Sequence, residues 1–154
     1  MRMQLRPATK QDESALLRMM RLLAEQPPVI PFDENKVRAI LHEFLEHSEF
    51  GAAWVLSLGE KIIGYIVLTH GYSFEYGGRE AFIDEFYIET EFRRQGFGQQ
   101  AMQFLEERAQ EMGIKAIHLE VDYDNEPAMN LYRRGGYADN NRYLMTKWIR
   151  STRH

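Results

Sequence analysis

Hydrophobic residues follow two different periods along this chain, and the alternation of the two periods predicts an α/β architecture. In residues 12–25 and 33–47, apolar residues recur every three or four positions, as they do on one face of an amphipathic helix. Residues 52–58 and 62–70 are instead rich in valine, isoleucine, leucine and aromatic residues, and a short turn at residues 59–61 separates them. This second pattern is typical of a β-hairpin.

The same patterns, with glycine and proline as boundaries, predict ten elements in the order β-α-α-β-β-β-α-β-α-β. They are a strand Gln4–Pro7, a helix that begins at Thr9 or Asp12 and stops before Pro27, a helix Asp33–His47, strands Ala52–Leu58, Ile62–His70 and Glu80–Ile88, a helix Gly98–Met112, a strand Ala116–Val121, a helix Glu126–Arg134 and a strand Arg142–Ile149. A loop is expected at residues 71–78. We expect a single domain over residues 1–150 and a frayed tail at residues 151–154.

Composition narrows the possible chemistry. The 154 residues include 44% apolar residues, enough for one substantial core, and no cysteine. Disulfides, thiolate metal sites and a cysteine nucleophile are therefore excluded. No apolar run reaches the ~18 residues that a membrane span needs, and the N-terminus lacks the apolar stretch of a secretory signal. We therefore expect a cytoplasmic protein without a membrane partner.

Charge also limits the partners. The net charge is −4, and the acidic and basic residues are interspersed, so that no basic field for nucleic acid is present. The five histidines do not have the spacing of metal ligands, and we predict no metal site. A small cationic molecule fits this charge balance better than nucleic acid does.

The most informative segment is residues 93–99, where a glycine-bearing loop leads into a predicted helix. The first N–H groups of a helix have no partner within the helix and lie at the positive end of its dipole, so such a place binds phosphate. An ordinary glycine turn is the simpler alternative. A dinucleotide site is the third possibility, because Gly96, Gly98 and Ala101 also match a G-x-G-x-x-A pattern. In that fold the first glycine follows its strand almost directly. Here residues 89–95 lie between the strand and the glycines, which disfavours a dinucleotide site.

At this point the sequence resembles the GCN5-related N-acetyltransferase (GNAT) superfamily. The residues that carry the resemblance are Arg93, Gly96 and Gly98 of a Q/R-x-x-G-x-G/A loop, Asn125, Ala128, Leu131, Tyr132, Gly136 and Tyr137 of a second signature, and an opening strand Leu5-Arg6-Pro7-Ala8-Thr9. The resemblance implies a mixed central sheet with splayed middle strands and acetyl-CoA as the acyl donor.

The resemblance also assigns residues to acetyl-CoA. The pantetheine arm would contact the strand residues Phe86, Tyr87 and Ile88. The pyrophosphate would be held by the loop residues Arg93, Arg94, Gln95, Gly96, Phe97, Gly98 and Gln99. The start of the helix Glu126–Arg134 would contribute Asn125 and Ala128. Asn125 is also expected to cap the helix that contains Pro127.

Transfer to an amine requires a base for the ammonium proton and a hydrogen-bond donor or acid for the leaving thiolate. Tyr132 is the candidate acid, although its helical spacing also suits a core residue. Asp84 and Glu85 are the candidate bases. They are adjacent, so on a regular strand they point to opposite faces and only one reaches the substrate. The resemblance to polyamine enzymes selects Asp84, whereas a β-bulge would select Glu85.

The function that follows is transfer of an acetyl group to a primary amine of a small cationic molecule. The diamine and polyamine acetyltransferases are the subgroup that the chain resembles most. Two alternatives remain: acetylation of a protein or peptide amine, and a regulatory module that binds acyl-CoA without turnover. A homodimer is expected from the resemblance.

Overall fold

The computed structural model describes residues 2–149, which form five strands and four helices. The elements are, in chain order, β1 (Met3–Pro7), α1 (Glu13–Ala24), α2 (Glu34–Glu46), β2 (Gly51–Leu58), β3 (Lys61–Ser73), β4 (Gly78–Ile88), α3 (Phe97–Glu111), β5 (Ala116–His118) and α4 (Glu126–Arg134). Two 3₁₀ turns, Lys10–Asp12 and Thr90–Phe92, precede α1 and α3.

The entry into α1 is fixed by a capping box directly after β1. Thr9 caps the 3₁₀ turn, and the Asp12 carboxylate accepts a hydrogen bond from the Thr9 backbone N–H at 2.8 Å. Arg6 of β1 donates two hydrogen bonds of 3.0 Å to Asp12, and this pairing lowers the pKa of the carboxyl group. The predicted start of the helical region is thereby confirmed.

The sheet is mixed, as predicted. Its order is β1-β2-β3-β4-β5, the first four strands are antiparallel, and β5 pairs with β4 in parallel. The parallel ladder is short, from Glu80 opposite Ala116 to Phe82 opposite His118. Residues 83–88 of β4 therefore have no ladder partner on the β5 side within the described residues.

Helices cover both faces of the sheet, and each face has its own apolar cluster. The cluster on the α3 side contains Ile66, Leu68, Ala81, Ile83, Ala101 and Leu105, among others. The cluster on the side of α1 and α2 contains Leu16, Met19, Leu41, Val55, Tyr65, Val67 and Tyr87. The site described below lies where β4 passes between these two clusters.

The β3–β4 hairpin is longer than predicted. Residues 71–78 are not one loop, because β3 continues to Ser73 and β4 begins at Gly78. The ladder continues through Gly71 opposite Glu80 and Tyr72 opposite Arg79. Aromatic side chains suit a pleated, half-buried surface, and this favours strand here despite the glycines.

The two last predicted strands need correction. The predicted strand Ala116–Val121 ends at His118, and the predicted strand Arg142–Ile149 is absent, since residues 142–149 form no regular element. A β-strand needs a neighbouring strand to satisfy its backbone N–H and C=O groups, and within the described residues no strand pairs with this segment. The residues beyond 149, including the predicted tail, lie outside the described part.

Candidate active site

The loop before α3 presents unpaired backbone N–H groups. Gly96 has a left-handed conformation with φ of +86° and serves as the N-cap of α3. The first bond of the helix runs from the Gln100 N–H to the Gly96 carbonyl, at 3.1 Å. The N–H groups of Phe97, Gly98 and Gln99 precede this bond and have no acceptor within the helix. The positive end of a 15-residue helix is thereby exposed to a ligand.

Gly96 and Gly98 meet different requirements. A Cβ atom at Gly96 would meet no atom within 4 Å, so its side faces open space, and its positive φ disfavours other residues. A Cβ atom at Gly98 would lie 3.2 Å from Cδ2 of Leu131. Gly96 therefore shapes the loop, whereas Gly98 allows α3 to pack closely against α4.

Two polar residues of the loop, Arg93 and Gln95, form hydrogen bonds with the backbone that precedes it. Arg93 donates from Nε to the Ile88 carbonyl at 2.7 Å, and its guanidinium lies 5.3 Å from the centre of the Tyr87 ring. Gln95 donates from Nε2 to the Glu91 carbonyl at 2.9 Å. These bonds connect the end of β4 to the loop, so that the predicted pantetheine strand and the predicted pyrophosphate loop are adjacent in the structure.

A β-bulge in β4 sets the positions of the two candidate bases. The register passes from Val67 opposite Glu85 to Leu68 opposite Ile83, so Asp84 is an extra residue without a partner on β3. A bulge interrupts the simple alternation of side chains between the faces of a strand. The expectation that Asp84 and Glu85 point to strictly opposite faces is therefore replaced by a local kink at this point.

Glu85 lies behind Asp84, toward α1 and α2. The hydroxyl of the fully buried Tyr65 donates to Glu85 Oε1 at 2.7 Å. Burial raises the pKa of Glu85, the bond from Tyr65 lowers it, and the nearby Asp84 charge raises it further; the net direction is upward. A carboxyl group with a raised pKa is more ready to hold a proton near neutral pH.

Asp84 lines a cleft of about 240 Å³ that opens beside β4. The other lining residues are Thr69, Phe82, Ile83 and Glu120. Asp84 touches solvent, yet protein atoms surround the cleft, and the resulting partial desolvation raises the pKa of its carboxyl group. The cleft therefore combines two carboxylates with an aromatic wall, which suits an amine that carries apolar methylenes.

Glu120 was not predicted as a site residue. The signal that identifies it is strand alternation: two residues after His118, it continues the same face of the β5 direction. His118 lies on that face with Phe82, their ring centres 5.1 Å apart.

Tyr132 packs against the α3-side cluster, as do Phe86 and Ile88 of β4. Its ring meets that of Tyr137 edge to face, with centres 5.8 Å apart. Burial raises the pKa of Tyr132 to about 12. The phenol is therefore fully protonated at neutral pH and able to donate a hydrogen bond.

Asn125 caps α4, as predicted. Its side-chain oxygen accepts a hydrogen bond of 3.3 Å from the Ala128 N–H, and a proline follows in the first turn. This cap fixes the start of the helix that carries Tyr132.

A larger cavity of about 290 Å³ lies between α1 and α2, away from the glycine loop. Its three arginines are already paired: Arg21 with Glu34 at 3.1 Å, Arg38 with Glu13 at 3.1 Å, and Arg18 with Glu89 of the chain after β4 at 2.5 Å. This groove is explained by ion pairs that join two helices, and we assign the chemistry to the smaller cleft.

Within residues 2–149, no helix has the length and hydropathy to cross a membrane, and no cluster of three potential metal ligands is present.

Comparison with known proteins agrees with this geometry. The model of the acetyltransferase (GNAT) family matches residues 16–137. The chain is 30% identical to thialysine N-epsilon-acetyltransferase of Bos taurus over 148 residues, which cover 88% of this chain and 84% of that protein. It is 44% identical to the uncharacterized N-acetyltransferase YdgE of Bacillus subtilis over 63 residues, a match that covers 41% of this chain and only 40% of that relative's length.

The fold agrees with a solved structure as well. The integron cassette protein HFX_CASS3, from the mobile metagenome of Cole Harbour Salt Marsh, superposes with a TM-score of 0.84 and 26% identity over 97% of this chain and 92% of that one. The predicted resemblance and the predicted α+β fold class are both confirmed. The chain belongs to the acetyltransferase (GNAT) family.

Proposed function

We propose that this protein transfers the acetyl group of acetyl-CoA to a primary amine of a small cationic molecule. The observation that carries the proposal is the adjacency, around one bulged strand, of an exposed helix N-terminus and a cleft with two carboxylates. The first suits the pyrophosphate of the donor, and the second suits an ammonium group.

On the donor side, the chain meets the steric and electrostatic needs of a diphosphate. Open space above Gly96 leaves room for phosphate oxygens, and the N–H groups of residues 97–99 are free of helical acceptors. Arg94, exposed in the same loop, adds positive charge. The pantetheine arm is proposed to run along residues 86–88 toward the cleft, with Asn125 and Ala128 on its other side.

On the acceptor side, Asp84 and Glu120 are proposed to bind the ammonium group. An alkylamine titrates near ~10.4, so its proton must leave before the nitrogen attacks. A bulge was expected to select Glu85, but the bulge in this strand leaves Asp84 in the lining of the cleft and Glu85 bonded to Tyr65. Asp84 is therefore the proposed base, and desolvation raises the pKa of its carboxyl group. Glu85, which is bonded to Tyr65, is proposed to hold the bulge in place.

In the transfer step, a C–N bond forms between the amine and the thioester carbonyl, and the C–S bond breaks. Tyr132 donates a hydrogen bond to the sulfur as negative charge develops there. The pKa of Tyr132, about 12, is higher than that of a thiol, ~8.5. Tyr132 therefore keeps its proton and acts as a hydrogen-bond donor to the leaving thiolate. The nitrogen loses two protons in all, one to Asp84 before the attack and one after the C–N bond has formed; the free thiol carries one of them, and the other is released to solvent.

The first test is an acetylation assay with acetyl-CoA and a panel of diamines, polyamines, amino acids such as lysine analogues, aminoglycosides and short peptides. Free thiol and acetylated mass are followed together. Because the cleft is small, we expect the small diamines or the lysine analogues to be acetylated at a primary amine. Acetylation of peptides alone would replace it by the peptide alternative, and donor binding without any product would favour the regulatory module.

A matched pair of glycine variants tests the donor site. Gly96 and Gly113 stand at opposite ends of α3, both have positive φ values, and neither has an atom near its Cβ direction. Gly96→Asp places a carboxylate at the proposed diphosphate site and is expected to raise the Kd for acetyl-CoA by about tenfold or more through like-charge repulsion. Gly113→Asp should leave that Kd unchanged; equal affinities of the two variants would contradict the site.

A further inference from the structure

The segment that carries Glu120 to the cleft follows a very short strand. The parallel ladder between β4 and β5 has three residue pairs, and the last pair places Phe82 opposite His118. The chain leaves the ladder after His118, and Glu120, two residues further on, lines the cleft. With so few ladder pairs, side-chain contacts between the two strands become important for the position of the residues that follow.

The Glu120 carboxylate has no anchor of its own. The residue is exposed, and within the described part of the chain its side chain forms no hydrogen bond or ion pair. Its place in the cleft therefore depends on the path of the backbone from His118 onward. A contact that fixes His118 also fixes the carboxylate that is proposed to bind the ammonium group.

His118 is bonded across the two strands to Glu80. The distance from His118 Nε2 to Glu80 Oε1 is 2.9 Å. A carboxylate only accepts hydrogen bonds, so Nε2 carries the proton and donates it. Glu80 lies opposite Ala116 in the ladder, so this bond runs diagonally, two residues back along β4. The side chains of His118 and Glu80 are only 14% and 20% exposed, and water competes less for this bond than for one on the open surface.

Two aromatic rings pack against the same imidazole. The centre of the His118 ring lies 5.1 Å from that of Phe82 and 4.6 Å from that of Tyr76, which meets it edge to face. Phe82 is a wall of the cleft. Tyr76 belongs to the turn between β3 and β4, and its hydroxyl accepts a hydrogen bond of 3.3 Å from Asn140. The imidazole is thereby held by ring contacts as well as by Glu80.

We propose that His118 is a positioning residue for the amine, and that Glu80 orients it. This inference rests on the proposed function, in which Glu120 binds the ammonium group. Neither His118 nor Glu80 lines the cleft, so both act through Phe82 and Glu120. The glycine loop follows the opposite end of β4 from Glu80, and the donor site is therefore independent of this pair.

A direct role for Glu80 is the competing assignment. In that case its negative charge binds a second ammonium group of a diamine, and the bond to His118 has no function of its own. The two assignments differ in which property of Glu80 is needed: positioning requires an oxygen that accepts from His118, whereas direct binding requires the charge.

A set of three variants separates these roles. His118→Phe keeps an aromatic ring and removes the N–H, and it is expected to raise the KM for the amine by about tenfold, with unchanged kcat and unchanged Kd for acetyl-CoA. Glu80→Gln keeps the acceptor oxygen, and its amine KM should stay within about twofold of the wild-type value. His42→Phe is the control, because it removes the N–H of another His–Glu pair, with Glu13, between α1 and α2.

The acceptor in these assays is diaminobutane, or the amine of the panel that the wild type acetylates faster. An amine KM that rises as much in Glu80→Gln as in His118→Phe would assign Glu80 to the substrate and overturn the proposal. An unchanged KM in His118→Phe would overturn it as well, as would a KM that rises equally in His42→Phe. A fall in kcat or in acetyl-CoA affinity would reduce His118 to a general role in stability.

A double variant tests whether His118 acts through Glu120. Glu120→Gln alone is expected to raise the amine KM by about tenfold. If His118 serves to place that carboxylate, His118→Phe combined with Glu120→Gln should again raise the KM by about tenfold, because both changes remove the same contact. A rise of about 100-fold, the product of the two separate effects, would show that His118 acts independently of Glu120 and would contradict the proposal.

Hydrogen exchange tests the positioning without reference to catalysis. In His118→Phe, the backbone amides of residues 116–120 are expected to exchange about tenfold faster, and those of residues 93–99 at the wild-type rate. Should His118→Phe not fold, Glu80→Met removes the same bond from the other strand and is expected to give the same result. Unchanged exchange at residues 116–120 would overturn the positioning even if amines are acetylated. Faster exchange there, without acetylation of any amine, would remove the proposed function and leave the link between His118 and this segment standing.

Discussion

The glycine loop before α3 and the cleft beside β4 differ in what they are made of. The loop consists of consecutive residues, and the groups proposed to bind the donor are backbone N–H groups that follow Gly96. The cleft takes Thr69 from β3, Asp84 from β4 and Glu120 from the chain after β5, and the groups proposed to bind the amine are side chains. The loop is thus a local structure, whereas the cleft exists only once three strands have assembled.

This difference teaches how each region should respond to substitution. A backbone site tolerates changes of side chain as long as the loop keeps its shape and its open space. A side-chain site loses its function when a single functional group is removed, even if the fold is unaffected. The following variants test this contrast, in order of decreasing expected effect.

Asp84→Asn removes the proposed base without a change of size. We expect kcat/KM for the amine to fall by about 10²- to 10⁴-fold, the usual contribution of a general base. Because the pKa of Asp84 is raised, the wild-type rate should decline as the pH falls through that raised value, when the carboxylate becomes protonated. A pH–rate profile measures both effects; an acidic limb that survives in Asp84→Asn would assign the base elsewhere.

Tyr132→Phe removes the proposed hydrogen-bond donor to sulfur. We expect kcat to fall by about 10²-fold and the Kd for acetyl-CoA to stay the same. Tyr137→Phe is the control, because the pKa of Tyr137 is also about 12 and its ring packs against that of Tyr132. Steady-state rates that fall equally in both variants would indicate a packing role for Tyr132.

Glu120→Gln keeps the shape of the cleft and removes one charge. We expect about a tenfold higher KM for the amine, equivalent to ~1.4 kcal/mol, with little change in kcat. Asp122→Asn, two residues further along, removes the same charge outside the lining of the cleft and should have no effect. Amine KM values that do not differ between the two variants would exclude Glu120 from substrate binding.

Tyr65→Phe distinguishes between Glu85 and Asp84 as the catalytic base. It removes the hydrogen bond to Glu85, and we expect the free energy of unfolding to fall by about 1 to 2 kcal/mol. The acidic limb of the pH–rate profile should stay in place. If Glu85 were the base, the limb would move to higher pH, because the lost bond is one that lowers the pKa of Glu85.

Gly98→Ala is the mildest change and tests the donor region. Alanine is favoured over glycine in a helix by about 1 kcal/mol, and the tight contact with Leu131 offsets part of this gain. We expect a change in stability within ~0.5 kcal/mol and nearly unchanged acetyl-CoA affinity. Thermal unfolding and calorimetry measure the two; a large loss of affinity would show that the loop depends on side chains after all.

Particular residues show how far the sequence could be read. The helix boundaries at Asp33 and Asn125 were predictable because each cap acts on residues two or three positions away. The glycine loop that leads into α3 was predictable for the same reason. The bulge at Asp84 could not be located, since it depends on how β4 pairs with β3. Glu120 was missed because its place in the cleft depends on how the chain after β5 lies beside β4.

The sequence by itself determined the four helices, most of the strands as far as β5 and the caps, because these depend on interactions between residues close together in the chain. It also carried the signatures of the GNAT family. The tertiary structure alone decided which carboxylates share the cleft, how Tyr65 supports Glu85, and that residues 142–149 have no strand partner in their own chain. These features depend on pairing between distant segments, and the alternation of apolar and polar residues does not encode which strand edge remains open.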